Sequence, residues 1–215
     1  NVLAIDVASG QVSQITDVAA SLSLEYDRLS DSLKVNYSDP VTPPSVYAIA
    51  SLDDLANRDN WKRLTNSNPQ VDGFALGQTE AVTWTSTDGK MIEGVLVKPV
   101  NYEPGRRYPL IVQIHGGPAS ATVQSFNASH GYYSHIYAAA GYMCLLPNYR
   151  GSSNYGEEFR TEIIGDYFRQ GYEDIMAGVD HLIAEGMVDP DRLGAMGWRH
   201  ELKRPLHDEV FDVRS

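Results

Sequence analysis

The sequence predicts an α/β chain: a parallel sheet with flanking helices, preceded by a segment built only of strands. Three observations carry this reading. Leu110, Ile111, Val112 and Ile114 make a nearly continuous apolar run, as a strand buried on both faces requires. Residues 172–185 set Ile175, Met176, Val179, Leu182 and Ile183 on one helical stripe. Residues 1–70 hold only short alternating runs broken by Gly, Asp and Pro.

In the strand-only segment, residues 2–6 read as a strand, 8–10 as a turn and 11–15 as its return. Residues 31–38 alternate, Asp39-Pro40 and Pro43-Pro44 punctuate, 45–50 give another strand, and 61–65 offer one more. Such a pattern suits a meander, a sandwich or a propeller blade, and a whole propeller needs about four or more blades. The pattern changes near Val71. Residues 79–85 and 91–99 flank Asp88-Gly89, a hairpin turn pair. Then strands alternate with helices: a strand at 108–115, a helix at 129–140 capped by Gly141, a strand at 142–147, the helix at 172–185 ended by Gly186, a turn at 189–191 and a short strand at 193–197. Strand–helix–strand units of this length imply right-handed crossovers and parallel strands, with function at their carboxyl ends.

Composition narrows the function classes. Of 215 residues, 42% are hydrophobic and 21% charged, which supports a packed core. Seventeen basic against 28 acidic side chains give a net charge of -11. That leaves no basic footprint for nucleic acid or for anionic lipid, so solubility is the reading of the charge. No apolar run reaches the ~18 residues a membrane span needs. Cys144, the single cysteine, sits in an apolar run, so no intrachain disulfide forms and an inert thiol is expected. His130, His135 and His181 lack metal-ligand spacing, and no cofactor is implied. Tyr132, Tyr133 and Tyr137 read as packing, Glu157 and Asp166 as solvated surface, and the sequons at Asn36 and Asn127 matter only in a secretory context.

Three loops follow the three apolar strands: His115-Gly116-Gly117-Pro118, then Asn148-Tyr149-Arg150-Gly151-Ser152-Ser153, then Gly197-Trp198. Paired glycines after a buried strand let backbone N–H groups approach a developing oxyanion, where one donor is worth ~10²–10³ in rate. They also serve a tight turn that needs positive φ, and the pair alone leaves both uses open. A strand running into Gly197-Trp198 is how an α/β-hydrolase approaches its G-x-S-x-G nucleophile elbow.

Taken together these pieces resemble the prolyl oligopeptidase family, in its acylaminoacyl-peptidase and dipeptidyl-peptidase branch. The residues that carry the resemblance are the 115–118 loop, Asn148 to Ser152, Tyr155-Gly156 with Phe159, Gly165-Asp166, the 172–185 helix, Asp189 to Arg192 and Gly194 to Trp198. The resemblance implies three stretches: the last strands of a β-propeller over 1–70, the N-terminal part of an α/β-hydrolase peptidase domain over 71–198, and a tail over 199–215 without the family's pattern. It also implies a serine-type peptidase that cleaves short peptides by acyl transfer, with the backbone of His115, Gly116 and Gly117 in the oxyanion hole, the 148–152 loop beside it, and Gly197 and Trp198 leading to the nucleophile. An α/β-hydrolase esterase and a non-catalytic binding module are the alternatives.

The sequence departs from the family at the decisive position. The family continues with Ser-x-Gly-Gly, whereas here Arg199 stands in the serine's place and Glu201 in a glycine's. His200 holds the position of the second oxyanion donor. The expected Asp and His of the triad follow the serine in this fold, and His207-Asp208 lies too close to the elbow to supply them. The chain therefore reads as an inactive fragment ending at the elbow, whose strand at 193–197 forms an open, aggregation-prone edge. Arg150 and Ser152 are expected to be structural. P1 preference, compartment and oligomeric state have no sequence signal.

Overall fold

The computed structural model describes residues 2–117, 119–127, 133–197 and 211–212, and the chain divides into two compact units: residues 1–74 with 123–126, and 75–122 with 127–215. In the first unit β1 (Leu3–Ile5) and β2 (Val12–Gln14) form an antiparallel hairpin. A second sheet runs β3 (Ser21–Asp27), β4 (Ser32–Asp39), β5 (Thr42–Ile49) and β6 (Lys62–Arg63) in chain order, each strand antiparallel to the last. The alternation predicts which side is buried. Val35, Tyr37, Tyr47 and Ile49 face inward against Leu55 and Trp61, while the intervening Lys34 and Asn36 pair with Asp27 and Ser23 on the outer side.

Two readings are corrected here. β3 is absent from the sequence reading because it lies largely exposed and lacks an apolar run, its Leu22, Leu24 and Tyr26 alternating with polar residues. Pro43 and Pro44, read as punctuation, lie inside β5. They stand beside a register shift between Tyr37 and Asp39 in the partner strand, where a residue without an N–H is tolerated.

The second unit holds a six-stranded mixed sheet. Its strands are β7 (Thr79–Thr85), β8 (Met91–Val97), β9 (Tyr108–Ile114), β10 (Met143–Asn148), β11 (Val188–Gly197) and β12 (Phe211–Asp212), in the spatial order β12-β11-β9-β10-β8-β7. β9 is parallel to both neighbours, β10 and β11, while β8 runs antiparallel to β10 and β7. Helices α1 (Ser134–Ala139), α2 (Glu157–Thr161) and α3 (Tyr167–Ala184) lie in the crossovers. Every residue of β10 is buried. Met143 and Leu145 pack with Ile175, Val179 and Leu182 of α3, whereas Cys144 and Leu146 pack with Ala138 of α1. Alternate residues of a strand point to opposite faces, so the two helices cover opposite sides of the sheet. Trp84 fills the space above Gly94 and Gly178: a Cβ at Gly178 would sit 2.7 Å from its ring.

The predicted helices and strands shift at their ends. The helix expected at 172–185 begins five residues earlier, because Phe168 and Tyr172 in its first turns stay exposed and add nothing to the apolar stripe. The helix expected over 129–140 spans Ser134–Ala139, with Tyr133 as its non-helical N-cap and positions 129–132 outside the described residues. The turn at 189–191 is an irregularity within β11, where the register with β9 shifts between Val188 and Leu193. The outer edge of β11 is not open along its length as expected: Gly194 and Ala195 pair with Asp212 and Phe211 of β12. No helix among the described residues is long and apolar enough to cross a membrane.

Candidate active site

The candidate site lies at the carboxyl ends of β9, β10 and β11, where open parallel sheets place ligands. Gly197 is level with Ile114 in the parallel ladder, so the His115-Gly116-Gly117 loop starts beside the last residue of β11. Trp198, Arg199, His200 and Pro118 lie outside the described residues, as do His130, Tyr132, Glu201 and the His207-Asp208 pair.

His115 is buried at 1% exposure, Gly116 is half-buried and Gly117 reaches the surface. Gly117 has φ of +128°, a conformation that side-chain-bearing residues rarely adopt. A Cβ there would meet only ordinary contacts, so the need for glycine is conformational. The His115 ring stacks on Tyr149, centroids 4.8 Å apart and planes within 16°. Its Nε2 lies 3.0 Å from the Ser152 Oγ, and that hydroxyl donates its one proton to the Tyr149 carbonyl at 2.6 Å. With that proton committed to the carbonyl, Nε2 is the donor to Ser152. Burial holds the His115 pKa below its ordinary value, in keeping with a neutral ring.

Residues 148–152 are buried and densely bonded. The Asn148 Oδ1 accepts the Thr122 N–H at 2.7 Å, and its Nδ2 donates to the Thr122 carbonyl and to the Tyr155 hydroxyl, each at 2.9 Å. Tyr155 in turn donates to Glu93 at 2.7 Å, and burial together with that carboxylate raises its pKa. Tyr149 donates to the His115 carbonyl at 2.8 Å. Arg150 clasps Asp174 of α3 with Nε at 3.0 Å and Nη2 at 2.7 Å, and its Nη1 pairs with Asp88. The Ser86 hydroxyl and the Arg150 N–H complete the Asp174 carboxylate, at 2.6 and 2.9 Å. Gly151 has φ of +97° and no room for a side chain, since a Cβ would stand 2.6 Å from Ile163.

Sequence reasoning missed Asp174, Asp88, Tyr155 and Thr122 as partners of this segment. Asp174 had a signal: a lone carboxylate beside Ile175 on the buried face of a helix demands a buried cation. The others are long-range contacts without a local pattern. Glu157 and Asp166, read as unpartnered, pair with Arg160 and Arg169 one turn along the chain. Cys144 is buried, and desolvation pushes its thiol up to about 12. Among the described residues no cluster of His, Cys, Asp and Glu could hold a metal ion.

The described residues thus give a β9 strand parallel to β10 and β11, with helices packed on the sheet and a glycine loop directly after β9. A model of the prolyl oligopeptidase family matches residues 128–199 of this chain. The uncharacterized peptidase YuxL of Bacillus subtilis is 37% identical over 145 residues, covering 63% of this chain and 20% of that protein. The acylamino-acid-releasing enzyme of Arabidopsis thaliana is 30% identical, covering 93% of this chain and 28% of the enzyme. Among solved structures, the acylaminoacyl peptidase of Pyrococcus horikoshii superposes with a TM-score of 0.70 at 23% identity, over 88% of this chain and 29% of its own. The chain thus spans less than a third of the length of these relatives, and serine-type peptidase function is the property of the family.

Proposed function

We propose that this chain carries the oxyanion-binding part of a serine peptidase that acts on short peptides, and that the sequence as it stands is catalytically silent. The observation that supports it is the ladder register of Gly197 with Ile114, which brings the last residue of β11 beside the start of the glycine loop. In such a site the serine hydroxyl attacks the scissile carbonyl, a histidine takes its proton, and backbone N–H groups near Gly116 stabilise the tetrahedral oxyanion. Arg199 in the serine's position cannot attack a carbonyl, and loss of the nucleophile costs ~10⁶ in kcat in a serine peptidase. Residues 1–70 are read as the last strands of a propeller that admits only small peptides, 71–198 as part of the hydrolase domain, and 199–215 as a tail outside both.

Labelling with a fluorophosphonate probe, together with hydrolysis of acyl-aminoacyl anilides and p-nitrophenyl esters, tests this reading. Neither label nor turnover above buffer is expected; turnover of either substrate class identifies another nucleophile and overturns the silent assignment. Reading the coding DNA past the Trp198 codon in all three frames tests the parent activity. A frame that continues Ser-x-Gly-Gly supports the peptidase, and its absence from every frame favours a non-catalytic relative.

A further inference from the structure

We propose that Asn148 and Tyr149 are positioning residues that orient the oxyanion-binding backbone of the His115-Gly116-Gly117 loop. The 115–122 segment carries the glycines yet becomes exposed within three residues of β9. It is tied instead to the 148–153 segment. Tyr149 bonds the His115 carbonyl, Ser152 bonds the His115 ring, the Ser153 N–H donates to the Ser120 carbonyl at 3.0 Å, and Asn148 grips both polar groups of the Thr122 backbone. The bond from Tyr149 has a directional consequence. The His115 carbonyl and the Gly116 N–H belong to one planar trans peptide and point in opposite directions. A carbonyl held toward the Tyr149 hydroxyl turns the Gly116 N–H away from it, out of reach of the group that would otherwise compete for the peptide.

The clamp is itself immobilised. Asn148 is locked by Tyr155 and Glu93, and Arg150 anchors the next residue to α3 through Asp174. A small hydrogen-bonded amide at 148 and a hydroxyl at the end of an aromatic ring at 149 are thus what this placement requires, and neither side chain needs to touch a substrate. What the Gly116 N–H binds rests on the peptidase reading above; its orientation is measurable without turnover.

The full chain labelled with 13C-carbonyl histidine and 15N-glycine isolates two His-Gly amides, Gly116 and Gly131. Tyr149→Phe removes one hydroxyl and is expected to move the Gly116 resonance while those of Gly94 and Gly178, observed with 15N-glycine alone, stay in place. Asn148→Ala is expected to speed hydrogen exchange over 116–122 about tenfold, leaving β9 and α3 protected. An unmoved Gly116 resonance in folded Tyr149→Phe, or exchange that rises equally through β9 and α3, overturns the assignment. If Asn148→Ala does not fold, Tyr149→Phe alone decides. Failure of the peptidase reading shows in the probe and substrate assays and leaves both amide readouts untouched.

Discussion

The first unit covers one face of a four-stranded antiparallel sheet and leaves the other to water, whereas the second encloses its central strands between helices on both sides. In the first, polar residues on the outer face pair across neighbouring strands, and the buried face is filled by rings: Tyr37, Tyr47 and Trp61 meet edge to face at 5.5 to 6.3 Å, with the Arg58 guanidinium 4.1 Å above the Tyr37 ring. In the second, β10 has no outer face, so a charge such as Asp174 at 0% exposure is tolerated only because several donors surround it. The difference teaches where a polar substitution should matter: little on the antiparallel unit's outer face, severely behind the parallel sheet.

The sharpest way to break the comparison is Arg150→Met, which leaves the Asp174 carboxylate buried without its cation. The expected loss is about 3–5 kcal/mol, read by urea denaturation. Because Cys144 is the chain's one cysteine and lies in the second unit, its labelling by a thiol reagent follows that unit alone and should accelerate in step. The pair Arg150→Met with Asp174→Leu should lose much less than the single change; an equal loss means that packing, not charge, sets the effect. Gly178→Ala comes next. Its methyl enters the space of the Trp84 ring, for about 1–3 kcal/mol.

Acid gives a smaller effect of defined sign. Arg150 holds the Asp88 pKa below the usual carboxylate value, so this pairing stabilises the folded chain above that value and is lost as pH falls through the lowered one. The stability gap between wild type and Asp88→Asn should therefore narrow as pH drops below about 4. Lys34→Met on the exposed sheet face of the first unit should change the denaturation midpoint least, since its partner Asp27 is also near solvent. A large loss there would erase the contrast between the two units.

What was legible in the sequence was periodic or local. The apolar runs of β9 and β10, the stripe on α3, the Asp88-Gly89 turn and the glycine loop after β9 all follow from spacing between near neighbours, because strand and helix geometry impose periods of two and 3.6 on which side chains meet the core. The departure of Arg199 from the Ser-x-Gly-Gly motif was legible too, since it needs only comparison with a motif. What spacing could not supply was the company each polar residue keeps. Asn148 finds Thr122, Arg150 finds Asp174 and Asp88, and Tyr149 finds the His115 carbonyl across separations of 24 to 62 residues. Such partners are chosen by strand order and register, which bring the ends of β9, β10 and β11 together only once the sheet has formed. The chain's own order of residues thus determined the elements and the glycines of the loop after β9. The tertiary structure decided which buried groups hold the glycine loop, because a hydrogen bond depends on distance in space and carries no trace of itself along the chain.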